Sequence, residues 1–92
     1  MKIVGSNSIS KVENCITTKI ENITILLNLE TGKYIKLNES ASIIWETIEQ
    51  SNSVDHLKEI VSELMNASIN EIGDDIESFL EEAIEKKIIM VV

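Results

Sequence analysis

The chain contains no proline and no arginine, and has one cysteine, three glycines and three aromatic residues among its 92 positions. Each shortage excludes something. A single thiol, Cys15, allows no internal disulfide, so nothing staples the fold and a reducing compartment is expected. Without proline the strongest helix stop is missing, which leaves Gly5, Gly32 and Gly73 to punctuate the chain. Without arginine there is no bidentate clamp for phosphate or guanine, and 16 acids against eight lysines give a net charge of −8 that repels a phosphate backbone. Nucleic acid is therefore a disfavoured partner. No apolar run approaches the roughly 20 residues of a membrane span. Met1 to Gly5 lacks the apolar centre of a signal peptide. The expected location is the cytoplasm, with no membrane association.

What is present is a globular composition, 43% hydrophobic and built on Ile and Leu, in a length that suits one domain over residues 1–92. Ser8 to Val12 is a candidate short strand, and the Thr-rich Ile16 to Ile20 either pairs or connects. Asn22 to Leu29 is a firmer strand, β-branched and bounded by turn formers. Glu30-Thr31-Gly32-Lys33 reads as a hairpin connection in which Gly32 supplies the φ > 0 residue. Lys33 to Leu37 returns with clean alternation, placing Ile35 and Leu37 on one face and Tyr34 and Lys36 on the other.

At Asn38 the period changes from two to 3.6. Asn38 is an N-cap candidate, followed by a stripe of Ala41, Ile44, Trp45 and Ile48, with Glu39 in the first turn. Ser51-Asn52-Ser53 caps a second helix carrying Val54, Leu57, Ile60, Val61, Leu64 and Met65. A third runs from about Ile69 to Lys86, with Ile72, Ile76, Phe79, Leu80 and Ala83 inward and carboxylates over most of the rest. Lys86 and Lys87 complement its C-terminal dipole. Ile88 to Val92 either adds an edge strand or packs on the helices. Three helices beside a small antiparallel sheet make an α+β fold that resembles a winged helix-turn-helix.

Chemistry is hard to find. His56 is the only histidine and Cys15 the only thiol, too few for zinc. The basic neighbours nearest to Cys15 in sequence are Lys11 and Lys19, so a Cys15–His56 dyad is a poor nucleophile candidate. Asp74, Asp75, Glu77 and Glu81 are spread around a helix, as a solvated acidic face is, and the isolated glycines make no phosphate loop. No catalytic residue, metal ligand or cofactor site is expected, and the chain reads as a non-enzyme.

The informative segment is Leu27 to Trp45. Thr31-Gly32-Lys33-Tyr34-Ile35-Lys36-Leu37-Asn38, preceded by Glu30, then Ala41-Ser42-Ile43-Ile44-Trp45, resembles the PqqD-like family pattern "T/S-G-x-Y-x-x-L-N … A-x-x-I-W". Ser53-Val54-Asp55-His56-Leu57 is similar to the family's "T-V-x-x-L", and Asp75-Ile76-Glu77-Ser78-Phe79-Leu80 to its "D-v-x-x-F-L". The resemblance covers about Ile23 to Ile89. There are departures: Glu30 stands for Asp, Ala83 for Leu, and Lys87 for Gly, so the third helix is expected to lack the usual αL glycine cap.

The resemblance implies a three-stranded sheet on a three-helix bundle that recognises the leader segment of a ribosomally made precursor peptide. The leader would add a strand to the edge of the Lys33 to Leu37 strand, in a groove walled by the third helix. The peptide-binding residues nominated are Lys33, Tyr34, Ile35 and Lys36, with backbone pairing through Tyr34, Ile35 and Lys36, and Asp75, Phe79 and Glu82 opposite. Phe79 has a competing role in the core; Leu37, Ile44 and Trp45 are assigned to the core, and Asn38 to the helix cap. The implied second partner is a maturation enzyme, either a radical SAM enzyme or a lasso-peptide protease and cyclase. A winged-helix DNA-binding regulator is the alternative, and an adaptor for some other ligand a third reading. Oligomeric state is not set by the sequence.

Overall fold

The computed structural model describes residues 4–21 and 23–92. Asn22, the start of the strand expected from sequence, and Met1 to Ile3 lie outside the described residues. The elements are β1 (Ile9–Lys11), β2 (Cys15–Ile20), β3 (Ile23–Asn28), β4 (Tyr34–Leu37), α1 (Glu39–Thr47), α2 (Val54–Met65), α3 (Ile69–Glu85) and β5 (Ile89–Val91). A short 3-10 turn, Ile48–Gln50, prolongs α1. The sheet is three-stranded and antiparallel in the order β2-β3-β4. The tail does form a strand, but it pairs with β1 in a separate two-stranded ribbon and does not extend the sheet.

The hairpin forms where expected. Gly32 adopts φ +76, a conformation that L side chains rarely take. Leu26 faces Ile35 and Thr24 faces Leu37 across the β3–β4 ladder. Their side of the sheet turns inward, and Leu26, Ile35 and Leu37 are buried against Ile44, Trp45 and Ile48. Val54, Leu57 and Val61 of α2 and Ile72, Ile76, Phe79, Leu80 and Ala83 of α3 close the core. Ile88 and Ile89 join it, so the tail anchors the ribbon through burial as well as pairing.

Caps hold the helix starts. The side chains of Asn38, Ser53 and Ser68 accept the backbone N–H groups of Ala41, His56 and Glu71, respectively. The end of α3 lacks the usual glycine, as expected, yet keeps the left-handed cap. Lys87 itself adopts φ +58. Its N–H donates to Ile84 O at 3.0 Å and the Ile88 N–H to Ala83 O at 2.8 Å, a complete Schellman motif built on a lysine. The bonded carbonyls and the buried Ile88 behind them hold the strained residue in place. Asn66 ends α2 in the same left-handed way.

The outer face of the sheet follows from the register. Ile16, Leu27 and Tyr34 lie in one row, Thr18, Ile25 and Lys36 in the next, and Ile20 with Ile23 in the third. Ile16, Ile20, Ile23 and Tyr34 are exposed. A mostly apolar surface thus faces solvent.

Candidate functional site

β4 is an edge strand, and α3 runs beside its free edge. One concavity between them, of about 410 Å³, is floored by Ile35, Ala41, Ile44 and Phe79 and rimmed by Asp75 and Glu82. A second, of about 510 Å³, continues past Tyr34 and Lys33 to Glu85 and Lys86. Both share Ile35, Lys36 and Glu82, so they form one groove. On α3, Asp75, Phe79, Glu82 and Lys86 recur at three- and four-residue steps, which puts them on a single flank. All seven residues nominated from sequence line this groove. Phe79 is placed for either of the competing readings: it is only 8% exposed, packed in the core, and part of the floor.

Backbone direction decides what the edge offers. The Asn28 N–H donates to Lys33 O at 2.9 Å, so Asn28 and Lys33 face each other across the hydrogen-bonded ladder. Alternation along the antiparallel pair then directs the N–H and C=O of Ile35 to Leu26 and those of Leu37 to Thr24. The groups of Tyr34 and Lys36 point the other way, into the groove. Lys86 shows the direction independently, because its Nζ donates to Tyr34 O at 3.2 Å. This corrects the sequence expectation for Ile35: its side chain lines the groove, but its backbone is committed to β3.

Lys86 was missed as a groove residue, having been assigned only to the helix dipole. It bridges the groove, since the same Nζ meets Glu82 Oε2 at 3.2 Å. Its spacing four residues beyond Glu82 was a legible signal; its reach to β4 was not. Lys33 and Lys36 border the groove on the β4 side and Asp75, Glu82, Glu85 and Lys86 on the α3 side, so charges of both signs rim an apolar floor.

Asn28 holds this arrangement together. It is 3% exposed. Its Nδ2 donates to Lys87 O at 2.6 Å, and its Oδ1 accepts the N–H groups of Glu30 at 2.8 Å and Thr31 at 3.1 Å. One side chain thereby joins the β3–β4 turn to the end of α3, the two segments that meet at one end of the groove.

The groups considered for chemistry lie elsewhere. His56 Nδ1 accepts the Asn52 N–H at 3.0 Å, a local staple at the start of α2. Burial pushes the Cys15 thiol up from its ordinary value, and the nearby Lys11 only partly opposes this. Lys11 Nζ itself stacks 4.2 Å from the centre of the Trp45 ring and pairs with Glu49. Among the described residues no three His, Cys, Asp or Glu side chains gather as a metal site, and no helix is long and apolar enough to cross a membrane.

A family comparison bears on this geometry. The profile of coenzyme PQQ synthesis protein D, PqqD, matches residues 24–89, well over half the chain. The chain belongs to the PqqD family. The matched stretch opens in β3 and closes in β5, so it takes in both walls of the groove and leaves β1 and β2 outside. No curated protein matches this PqqD-family chain in sequence. Two solved structures share its fold. One is described as "TbiB1 in Complex with the TbiA(beta) Leader Peptide", with a TM-score of 0.71 and 21% identity, covering 97% of this chain and 94% of the other. The other is "Lasso peptide synthetase B1 complexed with the leader peptide", with a TM-score of 0.74 and 14% identity, covering 90% and 98%.

Proposed function

We propose that this PqqD-family chain binds the leader segment of a ribosomal precursor peptide by strand addition to β4 and presents it to a separate maturation enzyme. The observation that carries the reading is the backbone of Tyr34 and Lys36, hydrogen-bonded to no strand among the described residues and turned into an apolar-floored groove against α3, where the Lys86 ammonium holds the Tyr34 carbonyl. An unpaired edge in a groove is the geometry of β-augmentation: backbone bonds supply affinity, and pockets for alternate side chains supply selection. Lys33, Lys36, Asp75, Phe79 and Glu82 are the contacts proposed for leader side chains, and Ile35 contributes through its side chain alone. Both similar structures are leader-peptide complexes, which supports the same ligand class.

The chain contributes recognition and not catalysis on this reading, and acts in the cytoplasm. The exposed Ile16, Ile20, Ile23 and Tyr34 on the outer face of the sheet suit a protein partner, since they lie on the same sheet as the strand proposed to hold the leader. Between a radical SAM enzyme and a lasso protease and cyclase, the lasso synthetase neighbour favours the second. DNA is a poor alternative, because α3, the helix a winged fold would offer to a major groove, carries seven carboxylates and no basic residue before Lys86.

The direct test is fluorescence anisotropy with labelled peptides tiling the precursor encoded beside the gene. One leader tile is expected to bind saturably while core tiles do not. Absence of saturable binding by every tile rejects the proposal.

A further inference from the structure

A larger concavity, about 670 Å³, lies on the other side of the β3–β4 turn. Its floor is apolar, from Val12, Ile84 and Ile89, and its rim carries Asn14, Glu30 and Lys87. Asn14 Nδ2 donates to Glu30 Oε2 at 2.7 Å and steadies the wall. This volume falls within the range of ligand pockets.

This concavity has its own strand edge. The Val12 N–H donates to Ile88 O, and the Val92 N–H to Ser8 O. Those two bonds fix the alternation of the β1–β5 ribbon, so Ser10 and Met90 form the hydrogen-bonded pair between them. The N–H and C=O of Ile89 and Val91 therefore turn away from β1. Both residues border the concavity, and among the described residues no strand pairs with them on that side.

The two sites stand back to back. Gly32, Lys33 and Lys86 face the β4 groove, while Glu30, Thr31 and Lys87 face the second concavity. The wall between them is the turn and the end of α3, joined by the Asn28–Lys87 bond. It is one helix end thick, about 10 Å, which about four extended residues span.

We propose that the second concavity is a further peptide subsite, taking the flank of the same precursor that leaves the β4 groove at its Gly32 end. The proposal rests on the leader reading. The flank lies as a short strand beside β5, with an apolar side chain on the Val12, Ile84 and Ile89 floor. Continuity picks this occupant: any strand docked on β4 emerges at Gly32 and Lys86, already at the rim of the second site. The two contacts on one chain reinforce each other, because the second forms at high effective concentration.

Calorimetric titration of synthetic peptides tests it. The probes are the shortest leader tile that binds, and that tile extended by about eight residues at either end, enough to cross the wall and fill the site. One extension is expected to bind about tenfold tighter than the short tile, as a linked second contact does. Met90→Asp, at an exposed side chain, and Val91→Pro, which removes an outward N–H, are each expected to abolish that gain without changing the affinity of the short tile. The proposal is overturned if neither extension gains affinity, or if the gain survives Met90→Asp. Failure of the short tile to bind rejects the leader reading itself, and the second subsite falls with it.

Discussion

A pair of proline substitutions at neighbouring positions separates folding from binding. Lys36 and Ile35 adjoin on β4, yet their N–H groups point in opposite directions. Lys36→Pro removes an N–H that faces the groove, on an exposed residue with no ladder bond to lose. Edge strands tolerate proline on that side, so the expected stability loss is within about 1 kcal/mol. Leader affinity is expected to suffer more. One backbone hydrogen bond is worth about 1 kcal/mol net, and the pyrrolidine ring also stands in the path of the added strand. Together these make a loss of about five- to thirtyfold, or about 1–2 kcal/mol.

Ile35→Pro has the opposite outcome. It deletes the N–H directed at Leu26, whose side chain is fully buried, and trims a core side chain that is 5% exposed. An unsatisfied buried acceptor costs about 1–3 kcal/mol, and the lost packing adds about 1 kcal/mol. About 3 kcal/mol is a large share of the 5–15 kcal/mol typical of a domain. It lowers the melting temperature by more than about 10 °C. Circular-dichroism melts followed by anisotropy titration of the leader tile read both quantities. A folded Lys36→Pro protein that binds like the wild type refutes strand addition at that residue. An Ile35→Pro protein that melts like the wild type refutes the ladder register.

Two further perturbations probe the joint that frames the groove. Asn28→Ala removes three side-chain bonds and strands the Lys87 carbonyl, so a loss of about 2–3 kcal/mol is expected in urea unfolding. An unchanged urea midpoint contradicts the assigned role of Asn28. Lys87→Gly relieves a left-handed lysine at φ +58 and is expected to stabilise by about 1 kcal/mol, raising the melting temperature by several degrees. A lower melting temperature shows instead that the lysine side chain contributes something the Schellman geometry does not require.

Much of the fold was legible in local pattern. Alternation from Tyr34 to Leu37 separated the inner Ile35 and Leu37 from the outer Tyr34 and Lys36, because a strand has a period of two whatever it pairs with. Gly32 marked the turn because the turn needs φ > 0, and Asn38 marked the helix start because a side-chain acceptor was needed there. The flank of Asp75, Phe79 and Glu82 followed from helical spacing alone, and the resemblance to the PqqD-like family said which strand it faces.

Other features depend on partners distant in sequence. The pairing of β1 with β5 joins the two ends of the chain, and nothing within either three-residue strand names the other. Whether Ile35 or Lys36 offers its N–H to a ligand depends on ladder phase, which β3 sets through the Asn28–Lys33 bond. Lys87 is left-handed because Ile88 behind it is buried and Asn28 holds its carbonyl, contacts that outweigh the residue's own preference. The sequence by itself determined the β3–β4 hairpin, the three helices and their buried faces, since those depend on neighbours within a turn or a pleat, while the family resemblance singled out the strand of the candidate site. Only the tertiary structure decided which backbone groups remain free in the groove and how Asn28 and Lys86 bound it, because those bonds reach across 59 and 52 residues of chain.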